Sequence, residues 1–244
     1  MDQKVVIIPT FNEIENIENI IRKTFSVSDV HILIVDDGSP DGTGLKVKEL
    51  MTEFPEKLFI QERKGKLGLG TAYLHGFQWA LDRGYDYIFE MDADFSHNPE
   101  DLARLFDACK NKNADLAIGS RYCSGVNVLN WPMMRLLMSY YGSMYVRFIL
   151  KIPVMDTTAG FKCYKADVLR AIDFSKIQHI GYGFQIEMKF NAYKLGFNIV
   201  EVPIIFIDRT LGTSKMNAGI FKEAILGVIG LKLKSYFRKW ERVS

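Results

Sequence analysis

Two carboxylates one residue apart, in Asp92-Ala93-Asp94, follow the apolar run Tyr85 to Met91. In extended backbone, residues i and i+2 face the same way, so both carboxylates point into one space. Like charges so close repel unless a cation sits between them. A hard divalent ion, Mg²⁺ or Mn²⁺, is the natural partner, with positions left open for phosphate oxygens. Alone, the motif is weak, because a solvated loop also holds two aspartates. Asp36 and Asp37 begin a second polar segment, Asp36-Asp37-Gly38-Ser39-Pro40-Asp41-Gly42. Carboxylates there can accept hydrogen bonds from a nucleobase or ribose while the same residues make a turn. Lys66-Leu67-Gly68-Leu69-Gly70 opens a helix, and bare backbone N–H groups at a helix start favour anions. It matches neither the Walker nor the dinucleotide-binding glycine pattern. Arg121, Arg135, Arg209 and Lys215 are candidate phosphate ligands, arginine by bidentate contact and lysine as a point charge. Each taken singly equally fits a solvated surface residue.

Other chemistries find less support. His31, His75, His97 and His179 have no metal-ligand spacing. His97 reads as a surface or capping residue, or as a support beside Asp92-Ala93-Asp94. No G-x-S-x-G elbow exists for a serine hydrolase. Gln185 and Glu187 follow Gly181-Tyr182-Gly183-Phe184 and either close an acceptor side or start a helix.

These residues need a scaffold, and the apolar periodicity supplies one. Val5 to Ile8 reads as a buried strand stopped by Pro9. A helix from Glu13 to Phe25 follows, capped by Asn12, with Ile14, Ile17, Ile20 and Ile21 on one face. Further strands are expected at His31–Val35, Leu58–Gln61, Tyr85–Met91 and Leu116–Gly119. Helices fall between them, including Thr71–Asp82 and Pro99–Cys109. Strands separated by single helices predict a doubly wound, mostly parallel α/β sheet, with ligands at the strands' carboxyl ends. The loops at Pro9–Glu13, Asp36–Asp41 and Asp92–Asp94 lie at those ends. Beyond them, Trp131 to Leu150 reads as a long apolar helix, Val154–Tyr164 and Ile199–Ile207 as extended, and Gln185–Leu195 as helical.

Composition sets bounds. The 244 residues suit one large domain with a modest appendage. We divide the chain into residues 1–215 and a C-terminal extension, residues 216–244. A net charge of +2 gives no reason to expect nucleic acid. Cys109, Cys123 and Cys163 are scattered, which fits a reducing cytosol and no zinc site. The N-terminus lacks a signal-peptide pattern, and no apolar stretch reaches the roughly 18–20 residues of a membrane span. In the extension, Phe221, Ile225, Ile229, Leu233, Phe237 and Trp240 form one helical stripe, with Lys232, Lys234, Arg238, Lys239 and Arg242 around it. Such a helix either packs on the domain or lies in a membrane interface.

Taken in order, the motifs are far more specific than any one alone. VVIIPTFNEIEN (5–16), VDDGSPDGTG (35–44), KLGLGTAYLHGF (66–77) and MDADFSHNP (91–99) are followed by GSRY (119–122), DTTAGFKCY (156–164), GYGFQIE (181–187) and EVPIIFIDRTLGTSK (201–215). In this series the chain closely resembles the dolichyl-phosphate (polyprenyl-phosphate) mannose synthases of glycosyltransferase family 2, from about Val5 to Lys215. The resemblance implies a GT-A fold and inverting transfer of mannose from GDP-mannose to a polyprenyl phosphate. By that resemblance Pro9, Phe11, Glu13, Val35 and Asp37 line a guanosine pocket with Asp36 beside it. Asp92 and Asp94 hold Mg²⁺ or Mn²⁺, and Ala93 meets the diphosphate through its backbone. Arg121, Arg135 and Ser139 hold the acceptor phosphate, while Arg209 and Lys215 clamp the donor phosphates. Asp94, Arg121 and Arg209 take the catalytic roles.

Two positions depart from the family pattern. Phe11 stands where many members have Tyr, and Ser96 where some supply a Gln metal ligand. The resemblance implies a cytoplasmic protein, peripheral on the cytoplasmic face of a membrane. It leaves the oligomeric state and a small membrane-embedded partner open. The rivals are a UDP-glucose-dependent glucosyltransferase with the same acceptor type, a non-catalytic nucleotide-binding subunit, and a soluble nucleotidyltransferase.

Overall fold

A computed structural model describes residues 2–208 and 218–241, apart from the side chains of residues 182 and 218–225. Strand β1 (Lys4–Thr10) has four consecutive buried residues, Val5 to Ile8. Successive side chains leave a strand on opposite faces, so a strand without polar positions must be covered on both. Val5 and Ile7 enter one core and Val6 and Ile8 the other. Helices α1 (Ile17–Val27), α2 (Thr43–Glu53) and α4 (Leu102–Asn111) cover the second face. The first is covered by α3 (Leu69–Asp82), α6 (Ala166–Ala171) and α7 (Tyr182–Lys194), with α5 (Met133–Leu150) and α8 (Ala218–Phe237) beyond them. Gly76 lets α3 lie close on β1, since a Cβ there would come 2.7 Å from Ile7 Cγ2.

The remaining strands are β2 (His31–Asp36), β3 (Leu58–Glu62), β4 (Tyr87–Glu90), β5 (Leu116–Ser120), β6 (Val128–Leu129), β7 (Lys162–Lys165), β8 (Ile199–Pro203) and β9 (Phe206–Ile207). Seven form one sheet in the order β3-β2-β1-β4-β7-β5-β8, and β6 pairs with β9 separately. The expected doubly wound, mostly parallel sheet is present. Its exception is β7, which runs antiparallel to both β4 and β5. The strand order reverses between β1 and β4. In such sheets the loops leaving the two strands there diverge to opposite faces and open a crevice.

Several boundaries shift for local reasons. The first helix begins at Ile17 rather than Glu13, and Asn12 does not cap it. Asn12 lies in left-handed backbone at φ 57°, and the Asn12, Glu13 and Ile14 N–H groups donate to Ser39 Oγ, Thr43 Oγ1 and Asp41 Oδ2. These bonds tie the Asn12–Ile14 backbone to the neighbouring loop, and regular helix starts only at Ile17. Of the segment Val154–Tyr164, expected to be extended, only Lys162 onward is strand. Residues before it form a loop whose Met155 and Asp156 N–H groups are held by the Glu201 carboxylate.

The C-terminal helix differs more. Phe221 and Ile225 fall among side chains outside the described set. Of the other stripe residues, Ile229, Leu233 and Phe237 are exposed, Phe237 to 90%. Trp240 is half-buried against Phe190. The face turned inward, toward α5 and α7, carries Val228, Leu231 and Ser235. The helix therefore packs on the domain and still presents an apolar face outward.

Candidate active site

A cavity of about 500 Å³ opens where the strand order reverses. That is ample for a sugar nucleotide. At one end Pro9, Phe11, Glu13 and Asp37 line it together with Lys66 and Gly68. The Lys66 ammonium lies 5.2 Å from the Phe11 ring centroid. Here the loop after β1 is tied to the segment after β2 by the three hydrogen bonds described above. Asp37 lines the cavity with its carboxylate braced: Arg63 Nε donates to Oδ1 at 2.7 Å and the Leu67 N–H to Oδ2 at 3.2 Å. Arg63 was not singled out by the sequence motifs, although it stands just before the glycine loop. Asp36 is turned away, accepting from Thr10 Oγ1 at 2.7 Å and from the Ser39 N–H and hydroxyl. Val35 lies wholly in the core. Among the nucleotide-loop candidates, then, the structure groups Pro9, Phe11, Glu13 and Asp37 and leaves Val35 and Asp36 behind them as framework.

Asp92, Ala93 and Asp94 leave β4 directly into the cavity. Phe95, next in the chain, has φ 60°, strained for an aromatic residue and typical of functional turns. The turn closes as the Ser96 N–H donates to Asp94 Oδ1 at 3.1 Å. Ser96 Oγ is buried without a hydrogen-bond partner. An all-oxygen set of two carboxylates, with an uncommitted hydroxyl beside Asp94, fits a hard divalent cation. Among the described residues no cluster of three or more His, Cys, Asp or Glu could hold a metal. Diphosphate oxygens and water would complete its coordination, the habit of Mg²⁺ at phosphate sites.

His97 is not a surface residue. It is buried, its ring stacked 4.9 Å from that of Phe161. Burial lowers its pKa to about 4. Its Nδ1 lies 3.1 Å from the Asp92 backbone nitrogen and accepts from that N–H, so the neutral ring carries its proton on Nε2. Its 3.8 Å approach to Asp92 Oδ2 is for that reason not an ion pair. His97 instead braces the backbone of the first carboxylate.

Another part of the cavity wall carries two arginines, each paired with a carboxylate. Arg121 follows β5, and its Nε and Nη2 grip Asp156 Oδ2 and Oδ1 at 2.7 and 2.6 Å. Nη2 also donates to Thr158 Oγ1 at 2.8 Å. Asp156 is fully buried; burial raises its pKa, but Arg121 overrides this and holds it below the usual carboxylate value. Arg135 and Ser139, four apart on α5, share one helix face. Arg135 donates to Asp208 at 2.7 Å, and its guanidinium lies 4.2 Å from the Trp131 ring centroid. The Ser139 hydroxyl accepts from Tyr122 OH at 2.8 Å. All three line the cavity. Arg209 and Lys215 lie outside the described residues.

The cavity is also lined by apolar side chains, Trp131, Met138, Tyr145, Val146 and, from α8, Val228. The outer face of α5 exposes Met134, Leu137, Tyr141, Met144 and Phe148. These residues recur at steps of three and four, a continuous helical stripe. On α8, Leu226, Ile229, Leu233 and Phe237 are exposed as well. Among the described residues no helix is long and apolar enough to cross a membrane.

Comparison with known proteins agrees with this geometry. The model of the family Glycosyl transferase family 2 matches residues 5–173. Over 225 residues the chain is 49% identical to a polyprenol monophosphomannose synthase of Mycolicibacterium smegmatis, covering 92% of this chain and 84% of that one. It is 47% identical to an undecaprenyl-phosphate mannosyltransferase of Micrococcus luteus, covering 97% of this chain and 96% of the relative. Among solved structures, glucosyl-3-phosphoglycerate synthase from Mycobacterium tuberculosis, in complex with Mn²⁺, uridine diphosphate and glucosyl-3-phosphoglycerate, superposes with a TM-score of 0.70 at 16% identity, covering 94% of this chain and 80% of that chain. A mannosyltransferase from Pyrobaculum calidifontis in complex with GDP-Man and Mn²⁺ gives a TM-score of 0.60 at 14% identity, covering 98% and 65%. At such identities the structural likeness speaks for the fold.

Proposed function

The chain belongs to glycosyltransferase family 2, and from that premise we propose that it transfers mannose from GDP-mannose to a polyprenyl phosphate, inverting the anomeric carbon. The observation that carries this reading is a single cavity lined by carboxylates, by arginines and by apolar side chains. A sugar nucleotide, a phosphate and a lipid chain need those three kinds of surface. The names of the two relatives support the sugar and the acceptor, and the GDP-Man complex of the structural neighbour supports the donor.

The chemistry follows from the parts. Pro9, Phe11 and Glu13 enclose the nucleoside, with Asp37 fixed by Arg63 at the edge. Asp92 and Asp94 would hold Mg²⁺ or Mn²⁺, whose charge when bound stabilises the departing diphosphate. Arg209 and Lys215 add positive charge there. Arg121, Arg135 and Ser139 aim an acceptor phosphate oxygen at the anomeric carbon. That oxygen is anionic near neutral pH, so orientation does more than proton removal and a strong base is dispensable, with Asp94 as an assisting carboxylate. One bond forms between the phosphate oxygen and the anomeric carbon as the bond to GDP breaks on the opposite face. The lipid runs along the apolar side chains of the cavity, and the exposed faces of α5 and α8 rest on the cytoplasmic surface of the membrane. Residues 1–215 form the catalytic unit and residues 216–244 the extension that meets the lipid.

The test is transfer of labelled mannose from GDP-mannose to a short polyprenyl phosphate with Mn²⁺. The expected product is a β-linked mannosyl phosphate, absent in EDTA. Calorimetry with GDP and UDP side by side separates this reading from a UDP-glucose enzyme: GDP is expected to bind more tightly, and tighter UDP binding contradicts the donor.

A further inference from the structure

Behind the Asp92-Ala93-Asp94 turn lies a buried polar network that the reading above does not use. Lys162 on β7 and Glu90, the last residue of β4, are both fully buried and paired at 2.9 Å. Tyr164 OH donates to the same Glu90 oxygen at 2.9 Å. Desolvation of an ion pair is expensive, and a fold dispensing with it would lose little stability. The pair makes sense through what it orients, which is Gln185 on α7.

An amide side chain has one accepting and one donating end, indistinguishable in shape. Here its neighbours dictate which is which. The Lys162 ammonium can only donate, and it donates to Gln185 Oε1. The Glu90 carboxylate can only accept, and its Oε2 takes an N–H of Gln185 Nε2 at 2.8 Å. The amide cannot flip without setting donor against donor and acceptor against acceptor. Nε2 carries a second hydrogen, which no acceptor among the described residues takes. Gln185 lines the cavity. A Cβ built on Gly160 would stand 3.7 Å from Gln185 Nε2, 3.9 Å from Asp92 Oδ2 and 3.5 Å from the His97 ring. Gly160 thus floors a space framed by the amide, the His97 ring and the first carboxylate. A neutral donor at that place suits a hydroxyl oxygen rather than a phosphate.

We infer that Gln185 donates a hydrogen bond to a hydroxyl of the donor's hexose across Gly160, held in the required orientation by the buried Glu90–Lys162 pair. This rests on the sugar-nucleotide reading and adds the residue that senses the sugar itself. The test is a cycle between enzyme and ligand, read by calorimetry with Mn²⁺ on the full chain. Wild-type protein and Gln185→Met are each titrated with GDP, GDP-mannose and the four monodeoxy analogues of GDP-mannose at positions 2, 3, 4 and 6. For wild type, removal of the contacted hydroxyl weakens binding about 5–10-fold, the worth of one neutral hydrogen bond. For Gln185→Met, that one analogue binds as well as GDP-mannose, the other analogues keep their losses, and the GDP affinity stays within about twofold. A structural role alone would lower GDP and all the sugar nucleotides together. Gln185→Asn, whose amide falls one methylene short, repeats the cycle independently of how a thioether packs beside the ion pair. The inference is overturned if every deoxy analogue loses the same factor in wild type and in both variants. Failure of wild type to bind GDP-mannose more tightly than mannose alone would instead remove the donor reading on which it rests.

Discussion

The two ends of the cavity are built on opposite plans. At the nucleotide and metal end, nearly every polar group is cross-braced by a neighbouring loop. Ser39, Asp41 and Thr43 hold the loop after β1, Arg63 holds Asp37, and His97 holds the backbone of Asp92. At the acceptor end the walls are two helices, α5 and α8, whose outer faces expose Phe148 to 80% and Phe237 to 90%. A charged leaving group needs fixed dipoles and carboxylates that pay no reorganisation energy during reaction. A lipid chain needs apolar surface without directional bonds. Arg121, locked on Asp156, stands at the seam between the two plans.

The comparison can be broken at several points. The largest effect is expected at the seam. Asp156→Ala strands a buried guanidinium, which typically costs about 3–5 kcal/mol of stability. Denaturant unfolding checks this, and an unchanged midpoint would show that the pair is not structural. Next comes the braced end. Asp92→Ala or Asp94→Ala should lower transfer by about 10²–10³-fold, the scale of losing one preorganised charge-stabilising group, with little change in the unfolding midpoint. Full activity of either variant, or of wild type in EDTA, would remove the metal from the account. The smallest effect is expected at the unbraced end. Leu233→Ser with Phe237→Ser removes exposed apolar surface worth roughly 1–3 kcal/mol per side chain on full burial, and only part of that at an interface. Sedimentation with anionic vesicles should fall about tenfold while GDP affinity is unchanged. Equal vesicle binding would mean that the α8 face is covered by something other than lipid.

The same contrast explains what the sequence made legible. The sheet, its helices and the carboxyl-end loops follow from runs such as Val5–Ile8 and from dense turn signals, because local periodicity encodes them. Asp92 and Asp94 both line the cavity as the sequence placed them, although they lie in the bend after β4 and not in the extended run that the alternation argument assumed. Asp36 and Asp37 were told apart only through the family resemblance, not by local pattern. Which neighbour faces the cavity was decided by Thr10, Ser39 and Arg63, partners 3 to 26 residues away. His97 looked peripheral because nothing local marks its stacking on Phe161. The Glu90–Lys162–Gln185 network was hidden for the same reason, as it joins β4, β7 and α7 across up to 95 residues. The antiparallel β7 left no mark either, for a short buried strand reads alike in both directions. On α8 the apolar stripe was readable, but a stripe cannot say which apolar face turns inward. Val228 and Leu231, lying beside it, did so.

The central claim is that one cavity serves a water-soluble donor and a lipid acceptor through two separable walls. Steady-state kinetics of Arg135→Ala in mixed micelles, paired with calorimetry of GDP, tests it most directly. The account predicts that KM for the polyprenyl phosphate rises about tenfold or more, the scale of one charge-assisted hydrogen bond, while the Kd for GDP stays within about twofold. A rise in the GDP Kd with an unchanged KM for the lipid phosphate would contradict it, placing Arg135 on the donor side.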